Sequence, residues 1–235
     1  MNATYEQLKD FNALYLNAGA YHKNAQGFKA WFLTDNYLAI ASFCESTHTV
    51  LDLACGEGCL AAFLNVQRLV GVDHSPEALN LNRKLYPQAY EQLILADLRH
   101  LDSADLPEAH FDRVLCSLSL MYLIGNDLES ALHGIYRVLK PGGSFVFTYP
   151  SVSRLRPANP SAAELSAAAL KTHLQTAGFK SIAMTPFCPL LPQALYDQSM
   201  RADTQAHAKK AYEEGKRHMT LDHCYHFVCH AKPTR

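Results

Sequence analysis

Charge is scarce in this sequence. Only 18% of its 235 residues are charged, and the formal net charge is −1. So even a balance offers no broad positive field, which argues against an electrostatic funnel for nucleic acid or for an anionic membrane. Long apolar runs are missing as well. None approaches the roughly 20 residues that a bilayer-spanning helix needs. The opening MNATYEQLKDF lacks a basic stretch leading into an apolar one, so no secretory leader is expected. Cysteine is present seven times, an odd number, and without framework spacing. Free thiols in a reducing compartment, and hence a cytoplasmic protein, are the expectation. Internal repeats, low-complexity tracts and long linkers are absent too. What is there is a 49% apolar chain, long enough for one α/β domain with a real core.

Residues 4–46 read as largely helical, with the loop-like NAGAYHKNAQG inside them. From residue 49 onward strands and helices alternate. TVLDLA, RLVGVD, QLILAD, FDRVLCSLS, GSFVFTY, KSIAMTPF and HCYHFVCHA read as seven strands. GCLAAFLN, SPEALNLNRKL, DLESALHGIYRVL, SAAELSAAALKTHLQTAGF and residues 193–217 read as helices. Ser75 and Pro76 suit an N-cap and a first helical position, and Asn126 with Glu129 could form a capping box. Such alternation implies βαβ units and a mostly parallel sheet.

The stretch VLDLACGEGCL runs a strand into a turn containing Gly56 and Gly58. Small residues there let backbone N–H groups approach a ligand. Asp73 ends the next strand, about 20 residues on, where a carboxylate can accept both hydroxyls of a ribose. A dinucleotide fingerprint shares both devices but wants more glycine, and Ala54 stands at the first such position. Asp52 and Glu57 would repel a pyrophosphate and suit a ligand with positive charge.

These motifs together resemble the class I S-adenosylmethionine-dependent methyltransferases, in particular the small single-domain group that acts on small molecules. The resemblance covers about Thr49 to Phe187. VLDLACGEG looks like the first motif, LVGVDHSPEAL the second, LILADLRHL the third and LPEAHFDRVLCSLSLMYL the fourth strand with its active-site edge. The most specific piece is IYRVLKPGGSFVFTYP. It implies a seven-stranded, mostly parallel sheet in the order 3-2-1-4-5-7-6, the last strand antiparallel, with helices on both faces. Residues 1–46 would be an N-terminal helical lid and 47–235 the methyltransferase domain. The implied cofactor is S-adenosyl-L-methionine, leaving as S-adenosyl-L-homocysteine. Its expected contacts are Asp52, Ala54, Gly56, Gly58, Asp73, His74, Asp97, Leu98 and Ser117. Asp97 would bond the adenine amino group, and Gly56 and Gly58 would face the methionine portion.

Many relatives carry His where this chain has Met121 and Tyr122, so no base can be assumed there. His22 is the candidate base, with Tyr21 and Tyr122 as orienting groups. His74 stands where an aliphatic residue is usual, and could stack on adenine or face solvent. The acceptor is expected to be covered by the N-terminal segment, with Tyr15, Tyr21, His22, Trp31 and Tyr37, and by residues 186–222; the loop with Tyr149, Arg154 and Arg156 also qualifies. The partner expected is a small-molecule methyl acceptor, bound by a monomer or homodimer, without membrane or nucleic acid. No metal site is expected, because HMTLDHCYHFVCH places its His and Cys residues in one period-2 segment. Tyr136 and Lys140 match a hydride-transfer pair in spacing but sit at a helix end. A cofactor-binding protein without turnover and an RNA or protein methyltransferase are the alternatives.

Overall fold

Apolar runs buried on both sides make parallel strands, and two of them, VLDL and LVGV, pair at the centre of the sheet. The computed structural model describes residues 22–151, 165–221 and 223–234. Its strands are β1 (Thr49–Leu53), β2 (Arg68–Asp73), β3 (Gln92–Leu95), β4 (Phe111–Cys116), β5 (Leu139–Pro150), β6 (Phe179–Cys188) and β7 (His226–Pro233). They form one sheet in the order β3-β2-β1-β4-β5-β7-β6. The first five are parallel, and β7 is antiparallel to both β5 and β6. Order and direction match the expected methyltransferase sheet.

The helices are α1 (Gly27–Ala41), α2 (Pro76–Leu85), α3 (Asn126–Val138), α4 (Ala167–Thr176), α5 (Gln193–Ser199) and α6 (Gln205–Gly215). Period-2 alternation splits the core between two faces. Leu51, Val114, Phe145 and Phe147 pack with Leu128, Leu132 and Ile135 of α3 and with Leu170 and Leu174 of α4. Val50, Leu115 and Val146 face the other way, onto Phe28, Phe32 and Ile40 of α1 and Tyr212 of α6. Each fully buried aliphatic side chain contributes about 1.5–3 kcal/mol.

Ser75 caps α2, its Oγ accepting from the Ala78 N–H at 3.1 Å, with Pro76 the first helical residue. The capping box expected at Asn126 does not form. Gly125 takes the cap position at φ 52°, which places Asn126 inside the helix. The helix expected from GCLAAFLN is only a 3-10 turn, Cys59–Phe63. Residues 54–67 alone separate β1 from β2, and the glycine turn uses the first of them, so no room remains for a full crossover helix. The single helix expected over 193–217 is two, α5 and α6, separated at residues 200–204. The last strand starts at His226, so its alternation does not extend back to Cys224. Cys224 packs with Phe227 and Cys229, not with His226 and Val228 as strict alternation implied.

The insertion between β6 and β7 packs on α1. Phe28 meets Tyr196 and Tyr212 with ring centroids 5.4 and 5.7 Å apart. Tyr212 donates to Asp35 Oδ2 at 2.6 Å, and Lys216 pairs with the same oxygen at 2.6 Å. Lys209 Nζ also lies 4.9 Å from the centre of the Trp31 ring. No helix among the described residues is long and apolar enough to cross a membrane.

Candidate active site

At the carboxyl end of β1 the chain turns sharply. Ala54, Gly56 and Gly58 have φ of 54°, 53° and 86°. Such values are unstrained for glycine and costly for alanine. At Gly58 space matters as well, since a Cβ there would lie 2.6 Å from Asn82 Oδ1 of α2. The turn is tied to the end of β2. Asp73 Oδ2 accepts from the Gly56 N–H and Oδ1 from the Ser75 N–H, both at 2.8 Å. The Asn82 side-chain amide donates to the Gly56 carbonyl at 3.3 Å. Burial pushes the Asp73 carboxyl up, against the lowering pull of these amide bonds.

Asp52 is 1% exposed and one strand away from Asp73. Its Oδ2 accepts from the Tyr90 hydroxyl at 2.7 Å. Tyr90 reaches it because Gly71, the β2 partner of Asp52, has no side chain; a Cβ there would meet the Tyr90 ring at 2.9 Å. Burial pushes Asp52 up to about 7; the Tyr90 bond pulls it down and the charge of Asp73 pushes it further up. Sequence reading missed Tyr90, although a glycine inside LVGVD was a signal that something approaches closely.

Glu57 is equally buried, at 1% exposed. Its Oε1 accepts from the backbone N–H of His22 at 2.6 Å and of Lys23 at 2.7 Å, and from the Cys59 thiol at 3.2 Å. The carboxylate that suggested a cationic ligand thus also holds the N-terminal segment. The His22 ring shares a hydrogen bond of 3.1 Å between Nδ1 and the Tyr37 hydroxyl. Burial, with the charge of Lys29, lowers His22 to about 4. His22 is therefore brought to the glycine turn as a neutral imidazole at pH 7. Tyr21 lies outside the described residues, as do Tyr15, Arg154 and Arg156.

Further along the carboxyl edge, Ala96 N–H donates to the Asp73 carbonyl at 3.0 Å, which sets Asp97 beside β2. Asp97 begins the turn Leu98–Ser103 and accepts from the Arg99 backbone N–H at 2.9 Å. The Arg99 guanidinium also grips both carboxylate oxygens, through Nε at 3.1 and 3.0 Å and a terminal nitrogen at 2.6 Å. Burial alone would raise Asp97, but Arg99 and the backbone bond hold it below the usual carboxylate range. Leu98 packs at the margin of the core. His74 lies with Nδ1 3.6 Å from Asp73 Oδ1 and is only partly exposed. Ser117 follows β4 and accepts from the side-chain amide of Asn36, a buried α1 residue, at 2.8 Å. Leu118 is held at φ 55°, its N–H donating to Thr148 Oγ1 at 3.2 Å. Tyr122 ends the short turn Leu120–Tyr122 and packs against the α3 side of the core. Tyr90, Arg99 and Asn36 are thus additions to the sequence-based set, and Tyr37, expected in the acceptor cover, holds the His22 ring.

Tyr136 and Lys140 serve other ends. The Tyr136 hydroxyl lies 3.1 Å from Thr234 Oγ1, and Lys140 binds both Asp112 oxygens at 3.0 and 2.9 Å.

Three buried carboxylates, Asp52, Glu57 and Asp73, lie in or beside one turn, and Asp52 Oδ1 and Glu57 Oε2 have no hydrogen-bond partner among the described residues. A pyrophosphate would meet like charge here. A cofactor bearing ammonium and sulfonium groups fits, because unpaired buried acceptors gain from a cationic donor.

The family described as methyltransferase domain matches residues 51–147. An uncharacterised methyltransferase of Synechocystis is 39% identical over 114 residues, covering 47% of this chain and 49% of that protein. A demethylmenaquinone methyltransferase of Symbiobacterium thermophilum is 31% identical over 116 residues, covering 47% of this chain and 45% of that protein. The chain thus spans about half the length of these curated relatives. Among solved structures, a complex between the Haloferax volcanii Trm112 methyltransferase activator and a methyltransferase superposes with a TM-score of 0.64 at 18% identity, covering 96% of this chain and 98% of that one. Strand order agrees with these matches: residues 51–147 match a methyltransferase domain, and the sheet is the class I, Rossmann-like sheet of S-adenosylmethionine-dependent methyltransferases.

Proposed function

We propose that the protein transfers a methyl group from S-adenosyl-L-methionine to a small-molecule acceptor, at oxygen or nitrogen. The observation that carries the reading is the set of three buried carboxylates in or beside a glycine turn at the sheet's carboxyl edge. In this reading Gly56 and Gly58 would lie against the methionine portion, with Asp52 and Ala54 beside it. Asp73 would take the ribose hydroxyls. His74, Asp97, Leu98 and Ser117 would line the adenine. The bound cofactor supplies an electrophilic methyl group with a good leaving group.

The chain's own residues then have three tasks. Asp73 and Asp97, already fixed by backbone amides and Arg99, orient without rearranging. The α1, α5 and α6 cover closes one face of the sheet beside the glycine turn to water. His22, held by its backbone on Glu57 and by its ring on Tyr37, takes a proton from an acceptor hydroxyl or amine as it reacts. Tyr21 and Tyr122 would orient that acceptor. The small-molecule reading is supported by the near-zero net charge and by the relative whose name specifies demethylmenaquinone.

Calorimetry with S-adenosylhomocysteine tests the cofactor. Binding is expected, and Asp73→Ala should weaken it by at least about tenfold, the cost of losing hydrogen bonds to a charged group. Absence of binding in the wild-type chain would overturn the reading. Transfer of a labelled methyl group into a small-molecule extract then identifies the acceptor. His22→Ala should lower kcat by about ten- to a hundredfold with little change in cofactor KM. An unchanged rate and pH profile would remove His22 from the mechanism.

A further inference from the structure

Burying a carboxylate is costly unless its lone pairs are met, and Glu57 is 1% exposed. What meets it is unusual in kind. Two of the donors to Oε1 are consecutive backbone amides, those of His22 and Lys23, at 2.6 and 2.7 Å, more than thirty positions away in the chain. Backbone donors are present whatever side chains occupy positions 22 and 23. The contact therefore fixes the course of the main chain and not one particular side chain. The third donor, the Cys59 thiol at 3.2 Å, is itself reached by the Tyr86 hydroxyl at 3.8 Å, so α2 and the 3-10 turn support the same carboxylate.

Glu57 also stands between Gly56, whose N–H is bound by Asp73, and Gly58 at φ 86°. One residue is thus shared by two structures: the turn that faces the cofactor and the segment that carries His22. A second tie, the His22 ring on the Tyr37 hydroxyl at 3.1 Å, connects that segment to α1. Charge-assisted bonds of this kind strengthen when water leaves their surroundings.

We propose that Glu57 is a positioning residue that couples the two: a ligand on the glycine turn tightens the hold on residues 22 and 23, and that hold raises affinity for the ligand. Linkage makes the coupling reciprocal. The proposal rests on the methyl-donor reading of the turn.

Hydrogen exchange by mass spectrometry on the full chain tests it, with and without S-adenosylhomocysteine. In the ligand-free wild type the amides of residues 22 and 23 should be protected. Glu57→Ala should speed their exchange by about tenfold or more, while β1 amides stay protected and report an intact fold. Glu57→Gln keeps an acceptor oxygen and should restore most of the protection. In the wild type, S-adenosylhomocysteine should slow exchange at residues 22 and 23 further, and in Glu57→Ala it should not. Lys23→Pro removes one donor without touching the turn. It should weaken S-adenosylhomocysteine binding by about threefold or more, in proportion to one lost bond. Unchanged exchange at residues 22 and 23 in ligand-free Glu57→Ala overturns the anchor. Equal ligand protection in both proteins, or unchanged affinity in Lys23→Pro, overturns the coupling. Failure of the wild type to bind S-adenosylhomocysteine would instead sink the cofactor reading, and the anchor is still decided by the ligand-free comparison.

Discussion

Asp52 shows how one residue sets a pH dependence for the whole chain. Its carboxyl is pushed from 3.8 up to about 7, first by burial. Between those values the folded state binds a proton that the unfolded state does not. The contribution of this group to stability therefore falls as pH rises from about 4 to about 7. Asp52→Asn removes this slope. Urea titrations at pH 4.5 and pH 8 should show the variant gaining on the wild type at the higher pH, by up to about 3 kcal/mol on the shift alone. A parallel pH response in both proteins would contradict the assignment. His22 behaves in the opposite sense. Its value is lowered from 6.5 to about 4, so its contribution is present above pH 6.5 and is lost as pH falls through 4. If His22 is the base, the acid limb of kcat/KM should lie near pH 4 and not near 6.5, as a rate profile in a constant-ionic-strength buffer would record. Of these groups, the acids at strand ends were legible in the sequence because their positions follow from strand period and from the spacing after the glycine turn. Tyr90 was not, because it reaches Asp52 only through the space left at Gly71, a three-dimensional fact.

At the scale of an element, the glycine turn and the α2 cap make separable demands. Gly58→Ala would strain a backbone at φ 86° and drive a Cβ into the Asn82 amide. It should cost about 1–3 kcal/mol in denaturant and weaken S-adenosylhomocysteine binding. Ser75→Ala loses the cap on the Ala78 N–H and a long bond to Glu77, and should cost about 1 kcal/mol in the same titration. Strands and the longer helices were readable because apolar spacing follows the period of each element. The misread pieces are instructive. GCLAAFLN has helical composition, yet the short run from the turn to Arg68 leaves room for one 3-10 turn. Asn126 has the chemistry of a cap, yet Gly125 at positive φ takes the position. In each case the path of the chain overrode local preference.

For the whole molecule, α1 and the insertion before β7 form a common cover on one sheet face. Tyr212, fully buried, ties it together through Asp35. Tyr212→Phe leaves the packing and removes the hydroxyl. It should cost about 1–3 kcal/mol, visible as a lower midpoint in urea, because the Asp35 carboxylate loses a buried donor. No sequence pattern pairs Asp35 with a tyrosine 177 positions away.

The strand order has a further consequence, for the time course of synthesis. β6 touches the sheet only through β7, which lies between it and β5. A ribosome makes β6 first, then the long stretch from 189 to 225, then β7. Until His226–Pro233 emerges, β6 has no partner and β5 keeps an open edge on that side. The parallel half of the sheet can assemble while translation continues, but the last two strands must lock in together and late. That nascent interval, with the β5 edge still open, is when the chain most needs a chaperone.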